Sequence, residues 1–469
     1  MITEVCHEHD LSALRVDVPK SSSTPAFTYF VKPVVGHTPQ IRRDGLPKES
    51  LISLEYVPMV FYSDGRPWNI ANLYLLQRME MGLGEPQTVG SVATDLAAFL
   101  EFFDKNAIDW LDFNKPKLLR PTYRFLSHLR SRILIGELSA TTANRRLSSV
   151  RGLYRWMMQE GFFSPTHSPW GERDLVISFD GHDGSDIRKK VITTDLKVSI
   201  PKSSDPYSGE IQDGGRLFPL TPKQQEELLK SLQALGNPEM LLIYGLSLCT
   251  GARIQTVLTF RLKHVWGSKT EEEVRIPIGP GTGIDTKYGK RMVLCMPNWF
   301  YTLLRTYAHS QRAKKRRAKA EGGDHENQFL FLSVRGAPLY HAKKDSVREQ
   351  TANVHKQPKT GQGVRQFHVT RLVPYMREHF DSGFNCRFHD LRATYGMNLT
   401  DALLIEVELG RMTLDEVRNF VRTKMGHKDY ATTDRYLGYR HRLKINRTAS
   451  LALETRVRDL ILGAIQESM

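Results

Sequence analysis

Apolar positions change their period along this chain. Residues 1–65 carry short apolar runs broken by turn residues, as at 53–62, which predicts irregular or β-rich structure. From about Asn72 the period becomes helical. Val92, Leu96, Phe99, Leu100 and Phe103 share one face, and Tyr123, Leu126, Leu129 and Ile133 mark a second helix. Leu147, Val150, Tyr154 and Met157 mark a third, with Thr141 and Thr142 as candidate N-caps. Residues 164–215 are rich in Gly, Ser, Asp and Pro and include Ser168-Pro169-Trp170-Gly171 and Asp180-Gly181-His182-Asp183-Gly184. They read as an interdomain linker with one strand over 191–200.

A second helical domain opens at Leu220-Thr221-Pro222, where Thr221 suits an N-cap, Pro222 the first turn and Gln224 a capping box. Within it, 273–297 suits two strands around a turn at Lys287-Tyr288-Gly289-Lys290, and 341–366 reads as a polar, basic insertion. A last helix over 446–467 carries Leu451, Leu453, Val457, Leu460 and Ile461. That apolar face needs a partner, in its own domain or on a neighbouring protomer. The expected division is an N-terminal extension 1–67 of unassigned role, a helical domain 68–163, a linker 164–215, a second domain 216–445 and a C-terminal helix 446–469. The expected class is mainly α with a small β-sheet (α+β).

Composition narrows the partner. The 469 residues are 40% hydrophobic, enough for several cores. Lys plus Arg number 66 against 51 Asp plus Glu, a net charge of +15, and this excess points to a polyanion or to a basic solubilising surface. The cysteines, Cys6, Cys249, Cys295 and Cys386, are scattered without a CxxC pair, which argues against a zinc or disulfide scaffold and fits reduced thiols in the cytoplasm. The most apolar stretch, 240–249, is too short to span a bilayer, and the N-terminus lacks a signal-peptide core. Two basic groups remain ambiguous. Arg145, Arg146, Arg151 and Arg155 lie on or beside the polar side of the third helix, and Arg312, Lys314, Lys315, Arg316, Arg317 and Lys319 crowd 310–320. Each group fits either phosphate contact or a solvated face.

Three short motifs carry the chemistry: Cys249-Thr250-Gly251-Ala252-Arg253, His389-Asp390-Leu391-Arg392, and Met425-Gly426-His427, with Tyr436 nine positions after His427. Guanidinium groups present a planar fork of donors to phosphate oxygens and never deprotonate, so paired arginines suit a phosphoryl transition state. In order and spacing this set resembles the tyrosine recombinases, the phage integrase family, and the helical block 68–163 resembles their core DNA-binding domain more loosely.

The resemblance implies a two-domain C-clamp around DNA and a site-specific recombinase, the integrase of a mobile element. Tyr436 is then the nucleophile that forms a 3′-phosphotyrosyl link, Arg253 and Arg392 hold the phosphate, and His389 and His427 bond it. Lys287 protonates the leaving 5′-oxygen, with Lys290 as the alternative. The reaction conserves bond energy, so no cofactor, metal or nucleotide is implied. The implied partners are double-stranded DNA, a homotetramer on two sites and accessory DNA-bending or directionality proteins, with no membrane. One departure stands out: the family often has an acidic residue three after the first arginine, where this chain has Thr256. A type IB topoisomerase and a non-catalytic DNA-binding regulator on the same scaffold remain alternatives.

Overall fold

The computed structural model describes residues 27–31, 34–41, 47–54, 57–81, 86–180, 186–199, 210–342, 359–439 and 458. Described residues up to 199 form one unit and those from 210 onward a second. The expected helix over 446–467 and most of the 341–366 insertion lie outside the described residues.

The first unit opens with four strands, β1 (Phe27–Val31), β2 (Val34–Ile41), β3 (Pro47–Leu54) and β4 (Val57–Phe61). β2 and β3 form a hairpin nested inside the antiparallel β1–β4 pair. Helices α1 (Asn69–Glu80), α2 (Pro86–Lys105), α3 (Pro121–Leu134) and α4 (Ala140–Gln159) follow. Their apolar faces converge on one core: Leu96, Phe99, Leu100 and Phe103 of α2 meet Phe125 and Leu129 of α3 and Leu147, Val150, Tyr154 and Met157 of α4. Each such side chain contributes about 1.5–3 kcal/mol by leaving water. The core also takes in Val60 of β4, ahead of residue 68.

Two local expectations are corrected. The α4 N-cap is Ser139, whose Oγ accepts from the Thr142 amide at 3.2 Å. Ser139 is extended while Ala140 is already helical, so Thr141 and Thr142 sit inside the first turn. The linker strand is a pair, β5 (Glu172–Asp180) with β6 (Asp186–Thr194), and residues 195–199 form a loop. The apolar Trp170, Leu196 and Val198 bury into the helical core, and Tyr123 Oη donates to Asp195 at 2.8 Å. The segment is therefore docked by burial that its polar composition hides.

In the second unit β7 (Ile211–Gln212) and β8 (Arg216–Leu217) form a minimal hairpin. Next come α5 (Pro222–Ala234), α6 (Pro238–Thr250), α7 (Ile254–Leu258), β9 (Glu273–Ile278), β10 (Met292–Pro297), α8 (Asn298–His309) and α9 (Gln311–Arg317). After 359 come α10 (Gln362–Phe367), α11 (Val373–His379), α12 (Asp390–Glu408) and α13 (Leu414–Met425), then helical residues 430–439, here α14. The Thr221–Gln224 capping box forms as expected. β9 and β10 pair antiparallel around the Lys287–Gly289 turn. Among the described residues every sheet is a two-stranded ladder.

The basic cluster at 310–320 divides. Arg312 and Arg316 pair with buried Glu239 at 2.7 and 2.9 Å, and buried Arg317 pairs with Asp324 at 2.6 Å. These three arginines tie α9 to its own domain, so neither earlier reading describes them.

Candidate active site

Helix ends build this site. α6 stops at Gly251, which adopts φ +66°, and a Cβ there would lie 2.6 Å from the Tyr395 ring. Both facts require glycine. The chain then turns so that Arg253 becomes the N-cap of α7. α12 begins just after His389, which places Arg392 in its first turn. α13 ends at Gly426, at φ +64°, and the reversal delivers His427 inward. α14 presents Tyr436, which is fully buried against Ala393, Met397 and Met425. The bidentate Arg418–Asp434 pair, at 2.6 Å, fastens α14 to α13.

Arg253, Arg392, His427 and Tyr436 therefore meet, and they meet on a residue that the sequence motifs do not contain. Asp213 Oδ2 accepts from Arg392 Nε at 2.7 Å and from Tyr436 Oη at 3.1 Å, and lies 3.3 Å from His427 Nε2. Its Oδ1 is 3.6 Å from Arg253 Nη2. Arg392 also donates to the carbonyls of Gly251 and Met425, at 2.9 and 2.7 Å, joining the ends of α6 and α13. Arg253 Nε is buried without a hydrogen-bond partner among the described residues. His427 Nδ1 lies 2.9 Å from Thr433 Oγ1, and its ring stacks on Tyr436 with centroids 5.4 Å apart.

Electrostatics follow from this crowding. Burial would raise the Asp213 carboxyl, but the His427 hydrogen bond and the Arg392 charge hold it well below the usual carboxylate range. Burial, then the Asp213 charge, pushes the Tyr436 hydroxyl far above its ordinary value. Burial, then Arg253 and Arg392, lowers His389 to about 4. His427 is lowered by burial against the pull of Asp213.

Both lysines of the β9–β10 turn border the same cavity as Arg253 and Arg392. Lys290 donates to the Gly426 carbonyl at 2.7 Å. Lys287 is exposed, with its Nζ 3.5 Å from where Gly214 would carry a Cβ. Thr256, three residues after Arg253, donates to the Asp285 carbonyl at 2.9 Å and so braces α7 against this turn. The carboxylate beside the arginines comes instead from Asp213, about forty residues upstream in the sequence. Its one sequence signal was a turn, Asp213-Gly214-Gly215, which spacing alone does not connect to Arg253 or Arg392.

The α4 arginines are engaged within their own unit. Arg145 and Arg146 lie 3.0 and 3.9 Å from buried Asp95, Arg151 donates to Thr194 at 2.8 Å, and Arg155 is 3.9 Å from Glu172. Among the described residues no three His, Cys, Asp or Glu side chains converge as metal ligands, and no helix is long and apolar enough to cross a membrane.

Residues 84–161 match the family model of the phage integrase N-terminal SAM-like domain. No curated protein matches the chain significantly. Among solved structures, the Tn1549 transposon integrase in complex with circular intermediate DNA is 17% identical at a TM-score of 0.43, over 78% of this chain and 94% of that one. The XerH site-specific recombinase bound to difH substrate is 14% identical at 0.41, over 74% and 75%. A lambda integrase dimer bound to a COC′ core site is 14% identical at 0.40, over 77% and 93%. The first unit therefore carries a match to a phage integrase N-terminal SAM-like domain over 84–161, and the second gathers the arginine, histidine and tyrosine motifs at one point.

Proposed function

We propose that this protein cuts and rejoins double-stranded DNA at specific sites through a covalent tyrosine link, as the integrase of a mobile element. The observation that carries the reading is the convergence of Arg253, Arg392, His427 and the Tyr436 hydroxyl on one anionic group, with every distance at or below 3.6 Å. A phosphodiester in that position would meet two guanidinium forks, an imidazole donor and a nucleophilic oxygen. Tyr430 is a weaker candidate for the nucleophile, because its hydroxyl donates to Asn419 at 2.6 Å.

In the proposed reaction Tyr436 Oη attacks phosphorus and forms the phosphotyrosyl bond, and the P–O5′ bond breaks. Lys287 gives its proton to the departing 5′-oxygen, while the tyrosine proton passes to the neutral His427 imidazole. Arg253 and Arg392 stabilise the added negative charge, each worth about 3–4 kcal/mol by analogy with an oxyanion donor. His389 faces the same arginines and would bond a phosphate oxygen. Attack by a 5′-hydroxyl of another strand reverses the step and recombines the DNA. Exchange between two duplexes cuts four strands, one per protomer, so the proposed assembly is a homotetramer, to which accessory DNA-bending or directionality proteins can be added.

The test is a nicked DNA substrate carrying the element's own junction. Wild type should leave a protein–DNA adduct on a denaturing gel, in excess chelator and without nucleotide. Tyr436→Phe should bind the DNA and leave no adduct. An adduct with the variant would move the nucleophile elsewhere, and cleavage that needs magnesium would defeat the mechanism.

A further inference from the structure

Asp213 holds the groups that a phosphate would need. Tyr436 Oη and His427 Nε2 both address its Oδ2, and Arg392 Nε donates to the same atom. A hydroxyl hydrogen or an imidazole N–H serves one acceptor well at a time, so this carboxylate and a phosphodiester compete for the same donors. We propose that Asp213 is an internal stand-in for the scissile phosphate, which closes the site in the DNA-free protein and has to swing out before DNA is cut. This rests on the strand-transfer reading above.

The local structure suits such a movement. Asp213, Gly214 and Gly215 form the turn between β7 and β8, whose ladder has two register pairs, Ile211 with Leu217 and Gln212 with Arg216. Gly214 and Gly215 adopt φ +70° and +155°, a conformation that side chains resist and glycine leaves and re-enters cheaply. The strands themselves are anchored. Ile211 and Leu217 are buried in the cluster that contains Tyr436, Arg435 donates to the Gln212 carbonyl at 2.7 Å, and Arg387 bonds the Arg216 carbonyl. The Phe218 amide bonds Asp390 at 3.1 Å. The two glycines can therefore re-aim the Asp213 side chain while the two strands stay docked, once the Asp213 backbone gives up its hydrogen bond to His389. The exchange keeps the charge balanced, since one monoanion replaces another beside Arg253 and Arg392.

A competing assignment makes Asp213 the base that takes the Tyr436 proton. Its environment argues against that. A carboxylate stabilised by His427 and Arg392 is a weak proton acceptor, and its charge makes the phenol harder to ionise. The acid therefore opposes the nucleophile while it is in place.

Inorganic sulfate serves as the probe, titrated at constant ionic strength with thermal unfolding as the readout. Asp213→Asn should respond to sulfate at concentrations about tenfold or more below wild type, because a tethered competitor has been removed. Adding Arg253→Gln to that variant should abolish the gain. Equal or weaker sulfate binding by Asp213→Asn would overturn the proposal. If the variant fails to fold, wild type decides the question by hydrogen exchange. Saturating sulfate should speed exchange in the 211–217 peptide, and unchanged or slower exchange there would overturn the proposal. Neither arm uses DNA. A protein that opens for sulfate yet forms no Tyr436 adduct keeps the stand-in and loses the strand-transfer reading, whereas an adduct-forming protein with no sulfate response does the reverse.

Discussion

His389 should make this protein sensitive to mild acid, and the size of the effect can be worked out. Burial and the charges of Arg253 and Arg392 lower its pKa from 6.5 to about 4. The unfolded chain takes up the proton near 6.5 and the folded chain only near 4. Between those values the unfolded state binds more protons, so stability is full above 6.5 and falls as the pH is lowered. At 1.36 kcal/mol per unit the whole shift is worth about 3 kcal/mol, of which about 2 kcal/mol is lost between pH 7 and pH 4.5. His389→Gln keeps a polar side chain and cannot titrate. Denaturant unfolding of both proteins at the two pH values isolates the contribution, because other titrating groups are common to both. Wild type should lose about 2 kcal/mol more than the variant across this interval. Arg253→Gln should shrink that difference, since it removes one of the charges that hold the imidazole neutral. Equal losses in wild type and His389→Gln would refute the placement of His389 beside the two arginines.

Two further outcomes follow from the geometry. Lys287→Ala should slow cleavage of ordinary DNA by about 10²–10⁴-fold, yet barely affect a 5′-bridging phosphorothiolate, whose sulfur leaves without a proton; equal defects on both substrates would assign the acid to Lys290 or another group. Gly396→Ala should destabilise the second unit by about 1–3 kcal/mol, although alanine favours helices, because the new Cβ would sit 2.5 Å from Tyr436 Cε1. Denaturant unfolding checks it, and a variant as stable as wild type would show that the Tyr436 ring has room to move.

Much of this protein is legible in its sequence. Helical periodicity located the α2, α3 and α4 faces, because a helix must bury one stripe every 3.6 residues whatever it packs against. Capping chemistry located the start of α5, because Thr221 and Gln224 solve a local backbone problem. The motif residues were equally visible, since phosphate chemistry restricts the side chains that can serve it. Tertiary structure decided the partners. The polar composition of 164–215 suggests an interdomain linker, yet Trp170, Leu196 and Val198 pack into the helical core, because burial depends on a surface supplied from elsewhere. Arg145, Arg151 and Arg312 are candidates for phosphate contact in the sequence, and only the structure places Asp95, Thr194 and Glu239 beside them. Asp213 shows the limit most clearly. Arg253 and Arg392 create a field that draws any nearby carboxylate, and only the folding of the β7–β8 turn against α12 and α14 determines which carboxylate arrives. Local rules act between neighbours in sequence, whereas charge acts between neighbours in space.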